Sequence, residues 1–69
     1  MKLSARNSIP GVIRKIDMGA VNAEVTLEVA PGIVIVAVIT IDAVTNLGLK
    51  EGQNAYAVIK ASSVMVGVD

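Results

Sequence analysis

Val21-Asn22-Ala23-Glu24-Val25-Thr26-Leu27-Glu28-Val29 alternates apolar and polar residues without a break. Ala30-Pro31-Gly32 then leads into Ile33-Val34-Ile35-Val36-Ala37-Val38-Ile39, where every position is apolar. A period of two sends one set of side chains to a buried face and the other to water, so 21–29 reads as a strand with one wet face. Pro31 and Gly32 fit the second and third positions of a type II turn, the third of which requires a positive φ. The stretch 33–39 is rich in β-branched residues, which favour a strand over a helix. A strand apolar on both faces needs cover on both. A small domain covers one side, so a neighbouring subunit is expected to cover the other. Packing under the chain's own helix or loop is the alternative.

Downstream, Thr40-Ile41-Asp42 opens a short helix running to about Leu47. Thr40 suits the N-cap, Asp42 complements the helix dipole, and Gly48 suits the C-terminal stop. Leu49-Lys50-Glu51-Gly52 turns into a strand from about Asn54 to Lys60. A bend at Ala61-Ser62-Ser63 precedes a last strand, Val64 to Val68. Upstream, Leu3 to Ile16 reads as one long strand with an irregularity at Pro10, because proline in a strand favours an edge or a bulge. Lys15 to Gly19 turns into the alternating strand. The expectation is an all-β domain spanning residues 1–69: a five-stranded OB-type barrel, with one short helix between the third and fourth strands.

Composition narrows the function. A 69-residue chain is one domain and buries a modest fraction of its surface, so it needs a further stabiliser. With no Cys and no His, disulfides are excluded and the usual transition-metal sites are not expected. Oligomerisation remains, and 54% apolar residues with Tyr56 as the only aromatic support it. Six basic and six acidic residues cancel, which argues against a non-specific nucleic-acid binder. An OB-type nucleic-acid domain stacks bases on aromatic side chains along a basic groove, and both are lacking. No secretory signal pattern opens the chain, and Ile33–Ile39 is too short to span a bilayer. The expected location is the cytoplasm, with no membrane partner.

Two cationic side chains stand among neutral donors near the two ends: Arg6 in Ser4-Ala5-Arg6-Asn7, and Lys60 in Ile59-Lys60-Ala61-Ser62-Ser63. Brought together, within one chain or between chains, they make a pocket rich in hydrogen-bond donors that suits a tetrahedral oxyanion. The first turn of the helix, Thr40 to Ala43, is a third candidate wall, since a helix start offers unpaired N–H groups. Each residue alone also has a plain surface or capping explanation. Catalysis finds little support. No Cys or His nucleophile–base pair exists, and a Ser4 or Ser62 dyad with Lys60 would need a Lys60 pKa depressed by a cleft. Glu24 and Glu28 on one wet strand face read as solubilising charges. The glycines are isolated turn residues rather than a phosphate-binding loop.

Three stretches together resemble the molybdate-binding Mop, or molbindin, family, whose domain is also called TOBE. They are Ser4-Ala5-Arg6-Asn7 followed by a long strand with Gly11; Gly19-Ala20-Val21-Asn22-Ala23-Glu24-Val25; and Ile39-Thr40 through Leu47-Gly48-Leu49-Lys50-Glu51-Gly52 to Ala57-Val58-Ile59-Lys60-Ala61-Ser62-Ser63-Val64. They span nearly the whole chain in the family's order. The resemblance implies a non-enzymatic protein that stores or buffers molybdate, and tungstate, between the subunits of a hexamer built as a trimer of strand-exchanged dimers. It places Ser4, Arg6 and Asn7 on the first strand, Thr40 at the helix start, and Lys60, Ala61 and Ser62 at the bend after the fourth strand. A serine is common in the family where this chain has Ala43, so one hydroxyl donor is missing there. The alternative is a regulatory or structural Mop-like module that binds a protein partner, with the oxyanion as effector or absent.

Overall fold

The computed structural model describes residues 1–69. The elements are β1 (Asn7–Met18), β2 (Asn22–Ala30), β3 (Ile33–Thr40), α1 (Ile41–Leu47), β4 (Asn54–Ile59) and one turn of 3₁₀ helix at Ala61–Ser63. The strands form one antiparallel sheet in the order β3-β2-β1-β4, curled into a half-barrel.

The long strand β1 serves two neighbours. Its first half, Asn7 to Val12, pairs with β4, and its second half, Val12 to Met18, pairs with β2. Pro10 is accommodated because β2 does not reach that far: its pairing with β1 ends at Val12↔Glu28, leaving one side of Pro10 without a ladder neighbour. The irregularity expected at Pro10 lies further along. The register passes from Ile13↔Leu27 to Lys15↔Thr26, which leaves Arg14 as the extra residue of a bulge. On the other side of β1, the 51–53 loop continues where the pairing with β4 ends at Val12↔Asn54. Ile13 N–H donates to Gln53 O at 2.9 Å, Gly52 N–H donates to Ile13 O at 2.7 Å, and Ile16 N–H donates to Glu51 Oε2 at 3.2 Å. Gly11 sits where β1 and β2 converge: a Cβ there would meet the Glu28 carbonyl oxygen at 2.8 Å.

Alternation holds along β2. Ala23, Val25 and Leu27 are buried, with Ile13 of β1, Val44 of α1 and Ala57 of β4 completing the core. Val21, expected to start this strand, lies in the preceding turn and is exposed. The turn into β3 has Gly32 at φ +74°, as its third position demands. In α1, Thr40 caps the N-terminus and Gly48, in the left-handed region at φ 63°, donates its N–H to the carbonyls of Thr45 and Val44. Ile41 N–H donates to Val21 O at 2.9 Å and docks the helix start beside the first residues of β2.

Two further expectations differ from the structure. The first strand begins at Asn7, so Ser4 and Arg6 lie in the segment that leads into it, and Lys60 lies just beyond β4. The last strand, Val64 to Val68, does not form: this segment has no strand partner, and Met65, Val66 and Val68 are 93%, 91% and 94% exposed. The physical reason is that a strand is made by its neighbour. The free edges of β3 and β4 are not joined by the chain's own C-terminus, so the barrel stays four-stranded and open. No helix is long and apolar enough to cross a membrane.

Candidate functional site

The pairing of β1 with β4 puts the two ends of the sequence side by side. Asn7 is opposite Ile59, so the segment carrying Ser4 and Arg6 leaves the sheet next to the segment carrying Lys60, Ala61 and Ser62. The Asn7 side chain ties the two, its Nδ2 donating to Ile59 O at 3.2 Å. Lys60 then takes the N-cap position of the 3₁₀ turn with φ −63° and ψ 132°, and its side chain makes no capping bond. Ser63 N–H donates to Lys60 O at 2.8 Å and Val64 N–H to Ala61 O at 3.3 Å, while the N–H groups of Ala61 and Ser62 find no partner in the chain. Ser4, Arg6, Lys60 and Ser62 are all exposed.

Their charges are uncompensated. The one ion pair in the chain joins Arg14 to Glu28 at 2.8 Å, so Arg6 and Lys60 have no carboxylate partner. This end of the sheet therefore presents two cations, two serine hydroxyls and two free backbone N–H groups to the outside. The set is a donor surface with no soft-metal ligand in it.

Thr40 is elsewhere. It pairs with Asn22, at the end of the sheet where β1 finishes at Met18 and β2 begins. Six of the candidates thus cluster near one end of the 12-residue β1 and Thr40 lies near the other, in a chain whose longest extent is 35 Å. Thr40 Oγ1 accepts the Ala43 N–H at 3.0 Å, which leaves the hydroxyl hydrogen free for an acceptor outside the chain. Ala43 contributes that N–H and no hydroxyl. Hydrogen bonds reach about 3 Å, so one compact anion cannot touch both clusters of a single chain. None of the seven candidates lines either of two surface hollows. One, of about 470 Å³, lies between Pro10, Pro31 and Tyr56; the other, of about 310 Å³, lies between Asp17, Asn22 and Val38.

The Arg14–Glu28 pair was not legible beforehand. The bulge turns Arg14 toward β2, where Nε and Nη2 donate to Glu28 Oε1 at 3.1 and 2.8 Å. The Arg14 hydrogen bonds, its charge and the backbone N–H of Gly32 hold the Glu28 carboxyl below the usual value of 4.5. The available signal was the break in alternation at Ile13-Arg14-Lys15, where two cations follow each other.

The TOBE domain family matches residues 3–66, nearly the full length. The chain belongs to the TOBE domain family. A probable molybdenum-pterin-binding protein of Haemophilus influenzae is 46% identical over 69 residues, covering 100% of both chains. Among solved structures, MopII from Clostridium pasteurianum superposes with a TM-score of 0.90 at 42% identity, over 97% of this chain and 100% of that one. The cytoplasmic molybdate-binding protein ModG, with molybdate bound, superposes with a TM-score of 0.92 at 52% identity. That match covers 100% of this chain and 49% of ModG, so this TOBE chain spans about half of it. The resemblance read from the three sequence stretches is borne out.

Proposed function

We propose that this chain is a cytoplasmic molybdate-binding protein that stores or buffers the anion, takes tungstate as well, and holds it at sites between subunits. The observation that carries the reading is the separation of a cationic, donor-rich cluster from the complementary hydroxyl of Thr40. Ser4, Arg6, Asn7, Lys60, Ala61 and Ser62 gather near one end of the sheet, and Thr40 stands near the other. A second copy, placed so that its helix start meets the first copy's cationic cluster, completes a site that neither copy holds alone. Arg6 and Lys60 then balance a dianion with charge-assisted bonds. The hydroxyls of Ser4, Ser62 and Thr40 and the N–H groups of Ala61 and Ser62 orient its oxygens. No catalytic step is involved.

The same assembly accounts for the open barrel. The unpaired Val64–Val68 segment of one copy has the length and β-branched character to lie between the free edges of β3 and β4 of another. It would supply the fifth strand by exchange. The exposed Val34, Val36 and Val38 are then covered by neighbouring subunits. A trimer of such dimers, a hexamer, satisfies both demands. These exposed valines also favour a second reading, in which the face docks a different protein and the anion is an effector or absent.

Native mass spectrometry with and without molybdate, with sulfate in parallel, tests the proposal. A hexamer that gains molybdate-sized increments unmatched by sulfate is expected. A hexamer that takes up neither anion would move the function to partner binding. A monomer would remove the intersubunit site.

A further inference from the structure

We propose that Asn7 is a positioning residue that locks the two arms of the anion site together, and is not itself a donor to the anion. The inference rests on the molybdate reading above. Asn7 Nδ2 donates to the Ile59 carbonyl at 3.2 Å, the one side-chain hydrogen bond that joins the N-terminal arm to the end of β4. Asn7 is half-buried, whereas Ser4, Arg6, Lys60 and Ser62 are exposed. The bonded carbonyl belongs to the peptide that carries the Lys60 nitrogen, at the last pair of the β1–β4 ladder, so the bond adds a side-chain anchor to that peptide where the ladder ends. It thereby sets the direction in which the Lys60 side chain departs and the start of the 3₁₀ turn with its free Ala61 and Ser62 N–H groups. The Asn7 amide spends one of its two N–H donors on Ile59 O, which holds the amide against the end of β4, and its Oδ1 is an acceptor that repels an anion. Lys60 has a flexible stem that is costly to order, so an anchored backbone just before it reduces what anion binding must immobilise.

The test is a double-mutant cycle on molybdate affinity, measured by calorimetry at low and high salt. The proteins are the wild type, Asn7→Ala, Lys60→Ala and the double variant, each checked for assembly mass. Asn7→Ala is expected to weaken binding about fivefold, the worth of one hydrogen bond. In the Lys60→Ala background it should weaken binding by less than about twofold, because the two act as one unit. It should also flatten the salt dependence as Lys60→Ala does, since a mispositioned cation contributes less screened charge. Additive losses would make Asn7 an independent donor and overturn the inference. So would a loss of thermal stability with the salt dependence unchanged. Hydrogen exchange of the Asn7 side-chain amide in the wild type needs no variant. Protection with and without molybdate is expected, and protection only with molybdate would overturn the proposal. A wild type that binds no molybdate would defeat the functional reading itself, whereas binding with additive losses defeats only the role of Asn7.

Discussion

Strands β2 and β3 are neighbours in one sheet and finish differently. On β2 the inward Ala23, Val25 and Leu27 are 1%, 3% and 4% exposed, while the outward Glu24, Thr26 and Glu28 are polar. On β3 the inward Ile35, Ala37 and Ile39 are only half-buried, and the outward Val34, Val36 and Val38 are 52%, 52% and 66% exposed. These valines stand directly beside Glu28, Thr26 and Glu24 in the register. One strand is completed by its own chain, and the other carries apolar surface that its own chain leaves in water. Burying a valine side chain is worth about 1.5–3 kcal/mol, so the proposed association draws on three unpartnered valines of an edge strand.

The largest effect expected is on the completed side. Leu27→Ala removes core volume that nothing in so small a domain can refill, at a cost of about 2–5 kcal/mol. Urea unfolding of that variant should show a midpoint near zero or no folded baseline. Next comes Val36→Glu on the β3 outer face. In an isolated chain this change is close to neutral, but in an interface it buries an unpaired charge at several kcal/mol. Native mass should fall to smaller species while circular dichroism keeps its strand signal, and Glu24→Gln on β2 should leave the mass unchanged. A Val36→Glu protein that stays fully assembled would erase the distinction between the two strands.

Third, Arg6→Ala or Lys60→Ala should lower molybdate affinity by about 10- to 100-fold, the range for a hydrogen bond to a charged partner. The fold should survive, because neither side chain has an ion-pair partner within the chain, and native mass is expected to stay that of the wild type, since the proposed association rests on the β3 valines. The smallest effect belongs to the Arg14–Glu28 pair, which ties the bulge of β1 to β2. The folded-state pKa of Glu28 is depressed, so its contribution is present above the unfolded value of about 4.5 and is lost as pH falls through the lower folded value. Arg14→Gln should reduce the acid sensitivity of thermal unfolding below that pH and leave the midpoint near neutrality almost unmoved, since an exposed pair is screened. Equal acid sensitivity in both proteins would show that the pair is idle.

Much of the fold could be read directly from the chain, because its local signals agree with one another. The period-two pattern of 21–29, the Pro31-Gly32 turn and the Thr40 and Gly48 caps each name their element. The sequence points to Pro10 for the bulge because proline is the louder signal, yet proline is quiet where its missing N–H faces no neighbour. Arg14 is marked only by the break in alternation. Val64–Val68 has strand composition, but strand formation is a property of a pair and the segment pairs with no edge of its own chain. The site was legible as a set of residue types. Its division was not: the proximity of Arg6 to Lys60 depends on the register Asn7↔Ile59, and the remoteness of Thr40 depends on the sheet order.

That division supplies the most direct measurement. Thr40→Asp keeps an N-cap acceptor, since aspartate caps as well as threonine, yet sets a carboxylate against the anion. A chain with Arg6→Ala and Lys60→Ala loses the other half. Each protein alone should bind little molybdate. The two chains unfolded together, refolded as mixed assemblies and titrated with molybdate should regain sites, where an intact cationic cluster of one chain meets an intact Thr40 of the other. Mixed assemblies that bind no more molybdate than their parents would contradict a site shared between subunits.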